Sequence, residues 1–138
     1  RERTFKEDVI EYEVVHKSLV YVLERALYDM RRKNIKARTV NLKLRYSDFK
    51  TVTRAKTIEI GDTFTHFYPI VKKLLDNIWQ RNVRIRLIGI RFTSLSDSLQ
   101  SDLFDFNCEQ KRIKVDEKVD LIRNRYGFNI IKPATLIE

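Results

Sequence analysis

The sequence predicts an α+β domain with the order β-α-β-β-α-β. Two helices should cover one face of a four-stranded antiparallel or mixed sheet, and a C-terminal tail with a short helix should follow. Three observations carry this reading. Apolar residues alternate at period two in Arg38–Ser47 and again in Val83–Leu95. Two longer stretches repeat apolar residues at three- and four-residue steps. Glycine and turn residues punctuate the joints between them.

The first element is "RERTFKED", a short strand ending in a helix signal. Asp8 followed by Glu11 has capping-box spacing. The helix after it shows Val15, Leu19, Val22, Ala26 and Met30 on one stripe, and closes in "RRKN", cations suited to a helix C-terminus. In "ARTVNLKLRYS", Val40, Leu42 and Leu44 face one way and Thr39, Asn41, Lys43 and Arg45 the other. "YSDFK" supplies a turn, and "TVTRAKTIEI" returns as the second strand of a hairpin. Arg54 and Lys56 are placed outward here, with Thr53 and Ala55 beneath a helix, although Val52 and Ile58 oppose that choice.

The second helix follows "GDT", with Thr63 or Thr65 as its cap and Pro69 in or near the first turn. Its buried stripe is Phe67, Val71, Leu74 and Ile78. The last strand turns Ile88, Ile90 and Phe92 inward, and Leu87, Gly89, Arg91 and Thr93 outward. An outward glycine leaves room for another backbone to approach. Beyond Leu95 the chain breaks at "SDS". A short helix over "KVDEKVDLIRNRYG" then places Val115, Val119 and Ile122 on one side, with Gly127 as its stop, and "FNIIKP" reads as a small strand. The expected division is a sheet domain at 1–96, a linker at 97–110 and a helical extension at 111–138.

Charge narrows the partner. Residues 1–97 hold 21 Lys and Arg against 12 Asp and Glu, net +9, while residues 98–138 hold 7 and 7. Residues 31–56 alone carry ten cations and one acid, Asp48. Cations this dense on rigid strands are the footprint of a polyanion. The open sheet face offers no aromatic for base stacking, so phosphate gripping on a duplex is favoured over an RNA-binding sheet.

Other classes find no support in the residues. His16 and His66 are far apart and, with the single Cys108, give no metal-ligand spacing; Asp102 and Asp105 read as linker acids. No phosphate-cradling glycine loop, nucleophile elbow or acid-base pair is present, so no catalytic residue is assigned and the enzyme question stays open for this fragment. The chain has no run of about 18 apolar residues, so no membrane partner is expected. Lone Cys108 suits a reducing compartment, and Arg1 in place of Met suggests a piece of a longer chain.

Three blocks together, "ERTFKED" (Glu2–Asp8), "RTVNLKLRYSDFKTVTRAKTI" (Arg38–Ile58) and "RLIGIRFTSL" (Arg86–Leu95), resemble the little finger of Y-family translesion DNA polymerases, nearest the bacterial DNA polymerase IV branch. The resemblance implies a duplex-DNA-binding domain tethered to a catalytic core that transfers nucleotides with Mg, in a bacterial cytoplasm near the nucleoid. The cations and small donors read onto the open face and its surroundings make the expected DNA-contacting set Arg3, Arg38, Thr39, Lys43, Arg45, Arg54, Lys56, Gly89, Arg91 and Thr93. The resemblance also implies that "QSDLF" binds the replication sliding clamp through Gln100, Asp102, Leu103 and Phe104, with Ser101 where the family prefers leucine. A non-enzymatic adaptor that docks a repair protein onto the clamp is the alternative reading.

Overall fold

Alternation in the central strands decides which side the helices take. The computed structural model describes residues 1–97 and 109–131. Strands β1 (Glu2–Val9), β2 (Ile35–Tyr46), β3 (Thr51–Gly61) and β4 (Ile85–Asp97) form one sheet in the order β1-β4-β2-β3, every neighbour antiparallel. Helices α1 (Tyr12–Arg32) and α2 (Phe64–Ile78) pack on the same face. Between helices and sheet lies one core, in which Val15, Leu19, Leu23 and Leu27 of α1 meet Val40, Leu42, Leu44, Ile88 and Ile90, with Phe67, Val71 and Leu75 of α2.

The expected element order and the α1 stripe are both found. Local differences have local causes. Asp8 stays in β1 and takes an ion pair with Arg86 at 3.3 Å; the residue before α1 is Glu11, whose side chain makes no capping bond. Thr63 precedes α2, also without a side-chain cap. Pro69 lies in the second turn of α2, so one helical bond is missing there. In α2 it is Leu75 that is fully buried, while Leu74 is half-buried.

The tail differs most from expectation. Helix α3 spans Glu109–Tyr126, longer than the sequence suggests, and stops at Gly127, whose φ of 102° suits glycine. Phe128–Ile130 is a 3-10 turn rather than a strand. Of the expected apolar stripe, Ile122 is exposed, the flanking Leu121 more so, and Val119 is half-buried. A polar face docks α3. Arg31 of α1 reaches Asp120 with two bonds, at 2.6 and 3.0 Å, and donates to the Asp62 carbonyl at 2.8 Å. Arg123 bonds Glu24 at 2.9 Å and the Ile131 carbonyl at 3.1 Å, and Tyr28 donates to Asn124. Phe128 packs between the rings of Tyr21 and Tyr28 under the guanidinium groups of Arg25 and Arg123.

Candidate nucleic-acid interface

The face of the sheet turned away from α1 and α2 is built from odd-numbered positions of β2 and β4. Paired residues in an antiparallel ladder share a face. Thr39 pairs with Thr93, Asn41 with Arg91, Lys43 with Gly89 and Arg45 with Leu87. On the other side of β2, Thr39 pairs with Thr57, Asn41 with Ala55, Lys43 with Thr53 and Arg45 with Thr51. The open face therefore carries Lys43, Arg45 and Arg91 among hydroxyls and an amide.

That register corrects the placement of Arg54 and Lys56. They pair with Leu42 and Val40, which puts them on the helix side of β3, where both stay exposed. Val52 and Ile58 share that parity and pack against the core, which is what fixes it. Arg3 also lies on the helix side. It pairs with Ile88, and its guanidinium sits 5.5 Å from the ring centre of Tyr21. Arg38 is exposed where the β2–β3 register shifts, between Ala37 and Thr39. Of the ten cations in residues 31–56, Arg31 serves the α3 contact and only Lys43 and Arg45 hold open-face register positions facing β4.

The open face is preorganised by short-range bonds. Thr39 shares a bond with Thr57 at 3.0 Å and donates to Ser94 at 3.2 Å. The Asn41 amide donates to the Arg91 carbonyl and to the Thr93 hydroxyl, both at 3.2 Å. Arg45 donates to Thr51 at 3.2 Å. Sequence reasoning turned Asn41 outward but assigned it no role; it missed Thr51, Thr53 and Thr57 because it placed β3 in the opposite register.

Gly89 behaves differently from expectation too. It is buried, and a β-carbon there would meet the Glu2 side chain at 2.8 Å. The group that uses the space is the chain's own β1. Glu2 accepts from Lys43 at 2.9 Å, and this bond, helped by the nearby Arg45 charge, holds its carboxyl below the usual range. The result is a groove of about 410 Å³ along β4, lined by Glu2, Asn41, Lys43, Thr53, Gly89, Arg91 and Thr93. One wall of it carries the Glu2 carboxylate, bonded to Lys43.

No clustering of three or more His, Cys, Asp or Glu side chains suited to a metal occurs among the described residues. His16 shares a bond with Tyr68 at 2.7 Å, and His66 with the Glu59 carbonyl at 2.7 Å. No helix among the described residues is long and apolar enough to cross a membrane. Gln100, Asp102, Leu103 and Phe104 lie outside the described residues.

Comparison with known proteins gives this geometry a family. The family described as "impB/mucB/samB family C-terminal domain" matches residues 1–103. DNA polymerase IV of Desulfatibacillum aliphaticivorans is 32% identical over 146 residues, which cover 99% of this chain and 36% of that protein. DNA polymerase IV of Opitutus terrae is 27% identical over 134 residues, covering 96% and 34%. The chain thus spans about a third of the length of the curated relatives it matches. Among solved structures, the complex of a beta-clamp processivity factor with the little finger domain of PolIV matches with TM-score 0.51 and 23% identity, over 75% of this chain and 93% of that one. DinB from Sulfolobus solfataricus matches with TM-score 0.54 and 17% identity, over 67% and 27%. The chain belongs to the impB/mucB/samB C-terminal domain family, and its fold is that of the little finger of Y-family DNA polymerases.

Proposed function

We propose that this domain grips duplex DNA by its phosphates on the open face of β4, β2 and β3, as the little finger of a longer translesion polymerase. The observation that carries the reading is the composition of that face. Lys43, Arg45 and Arg91 stand among Thr39, Asn41, Thr51, Thr53, Thr57 and Thr93, with no aromatic between them. Cations and hydroxyls without a stacking ring bind backbone rather than base edges. Thr39 and Thr93 add donors, and exposed Arg38 extends the contact from the end of the face. Gly89 shapes the groove beneath Glu2. Arg3, Arg54 and Lys56, on the helix side, add long-range attraction rather than direct contacts.

Titration with duplex DNA at several salt concentrations tests the reading. Each neutralised phosphate contributes about −0.9 to the log-log slope, so a slope near zero would remove it. The residues described here do not fit a Mg site; the nucleotidyl transfer that uses Mg belongs, in this reading, to other parts of the longer chain.

The clamp reading rests on "QSDLF" and is supported by the solved clamp complex of a related little finger. Leu103 and Phe104 would fill an apolar cleft while Gln100 and Asp102 set register. Leu103→Ala with Phe104→Ala should abolish clamp binding and leave melting temperature and DNA affinity unchanged. Loss of the fold instead, with roughly 2–5 kcal/mol per truncation, would assign the pair to the domain's own core. A domain that binds the clamp but shows no salt-dependent DNA affinity would be the adaptor of the alternative reading.

A further inference from the structure

The turn between β2 and β3 breaks a local rule. Its closing residue, Phe49, has φ of 66°, a left-handed conformation that glycine or asparagine adopts readily and a bulky aromatic does not. The turn is tightly bonded. Phe49 donates to the Tyr46 carbonyl at 3.0 Å, Tyr46 to the Lys50 carbonyl at 2.9 Å, and the Lys50 amide to Asp48 at 3.0 Å. Strain of this kind persists where the residue serves something other than the fold. Phe49 is 64% exposed and is not part of the core cluster, so burial does not account for it.

One face of the ring is occupied. The Arg86 guanidinium lies 4.4 Å from the ring centre and is itself held by Asp8 at 3.3 Å. Arg86 is the unpaired residue where β4 shifts register against β2, between Leu87 opposite Arg45 and Ile85 opposite Tyr46. Exposed Lys50 and Arg84 flank the turn, and Arg45 of the open face bonds Thr51 directly after it. An aromatic backed by a cation, ringed by further cations and continuous with a basic sheet, is the arrangement on which an unpaired nucleobase stacks.

We infer that Phe49 is a stacking platform for an unpaired base of single-stranded DNA adjoining the duplex held on the open face. The inference rests on the duplex reading above and adds the single strand to it. The open face lacks a ring because the ring stands at its end.

The test uses the full chain and three probes: a blunt duplex, the same duplex with a single-stranded overhang, and the overhang oligonucleotide alone. The wild type should prefer the overhang to the blunt duplex by about 5-fold or more, the low end of one base stacked on an aromatic. Phe49→Gly should erase that preference, weaken binding of the free oligonucleotide equally, leave blunt-duplex affinity unchanged and raise the melting temperature. Phe49→Trp should retain the preference. Equal affinity of wild type and Phe49→Gly for the free oligonucleotide overturns the inference, whatever the duplex does. Blunt-duplex binding with no gain from the overhang overturns it as well. Absent duplex binding alongside a Phe49-dependent affinity for the oligonucleotide overturns the duplex reading instead and keeps the platform.

Discussion

Two sets of cations stand on opposite sides of this domain and do opposite work. Arg31 and Arg123, between α1 and α3, have side chains only 8% and 2% exposed and are bonded to Asp120 and Glu24. Lys43, Arg45 and Arg91 line the open face; Lys43 spends its charge on Glu2, Arg45 on a hydroxyl, and Arg91 is exposed. A buried cation that loses its carboxylate is costly, whereas a solvated one can exchange partners cheaply. The first set fastens an element of the fold. The second is available to a ligand. Arg31 of the first set and Lys43 and Arg45 of the second lie in the same basic run of sequence, so charge density alone could not separate them.

The comparison breaks most sharply at the buried set. Arg123→Ala or Arg31→Ala leaves a carboxylate facing a cavity, and the loss of a buried pair costs about 3–5 kcal/mol. Because the partners can be re-solvated by release of α3, the expected outcome is undocking rather than global unfolding. Hydrogen exchange should rise across the backbone of α3 while β2 and β4 stay protected.

Next in size are the open-face cations. Lys43→Ala, Arg45→Ala and Arg91→Ala should each reduce the magnitude of the salt slope by about 0.9, equally for all DNA sequences, with α3 protection unchanged. A change in preference among sequences would show base readout instead. A smaller and opposite effect is expected at Glu2. Glu2→Gln releases Lys43 from its carboxylate without removing the side chain over Gly89, so DNA affinity should rise severalfold with the slope unchanged.

The smallest effect is the one of pH, and its sign differs between the two regions. Burial pushes the Asp116 carboxyl of α3 up to about 6, opposed by Arg31 and the Phe64 amide and reinforced by Glu24 and Asp120. Burial also raises Asp62. A group raised in the docked state favours docking when protonated, so this contribution is full below the ordinary carboxylate value and is lost as pH rises through about 6. Glu2 is lowered by its bond to Lys43, so that contact is present above the ordinary value and is lost as pH falls through its folded one. Acidification from pH 7 to 5 should therefore slow exchange in α3 while Lys43 stays paired. Further acidification should free Lys43, visible in its ammonium resonance.

What could be read from the residues follows from which forces leave a period. The α1 stripe and the Val40–Leu42–Leu44 alternation survive into the structure because apolar burial dictates both. Val52 and Ile58 carry the facing of β3 in the sequence as well, and the cations Arg54 and Lys56 on the same parity mask it. Docking of α3 left no such trace. Its partners are Asp120, Arg123 and Asn124, and a polar face shows no hydrophobic period. The Val115–Val119–Ile122 stripe pointed to a face of which Ile122 is exposed. Glu2 escaped notice because its role depends on Gly89 lying opposite in β1–β4 pairing, a contact of long sequence separation.

The helix-side cations of β3 have a consequence of their own. Among the described strands β3 pairs with β2 alone, so apart from the Glu59 carbonyl bonded by His66 and the Thr53 carbonyl bonded by Arg54, its other margin offers backbone donors and acceptors to a passing strand. Such margins template aggregation between copies unless something spoils the match. Arg54 and Lys56 stand exposed on one side of that margin, with threonines at 51, 53 and 57 on the other. A second copy approaching in antiparallel alignment would have to bring the same two positive charges close to these. The residues that do not reach the open face thus keep the sheet from being extended by its own kind.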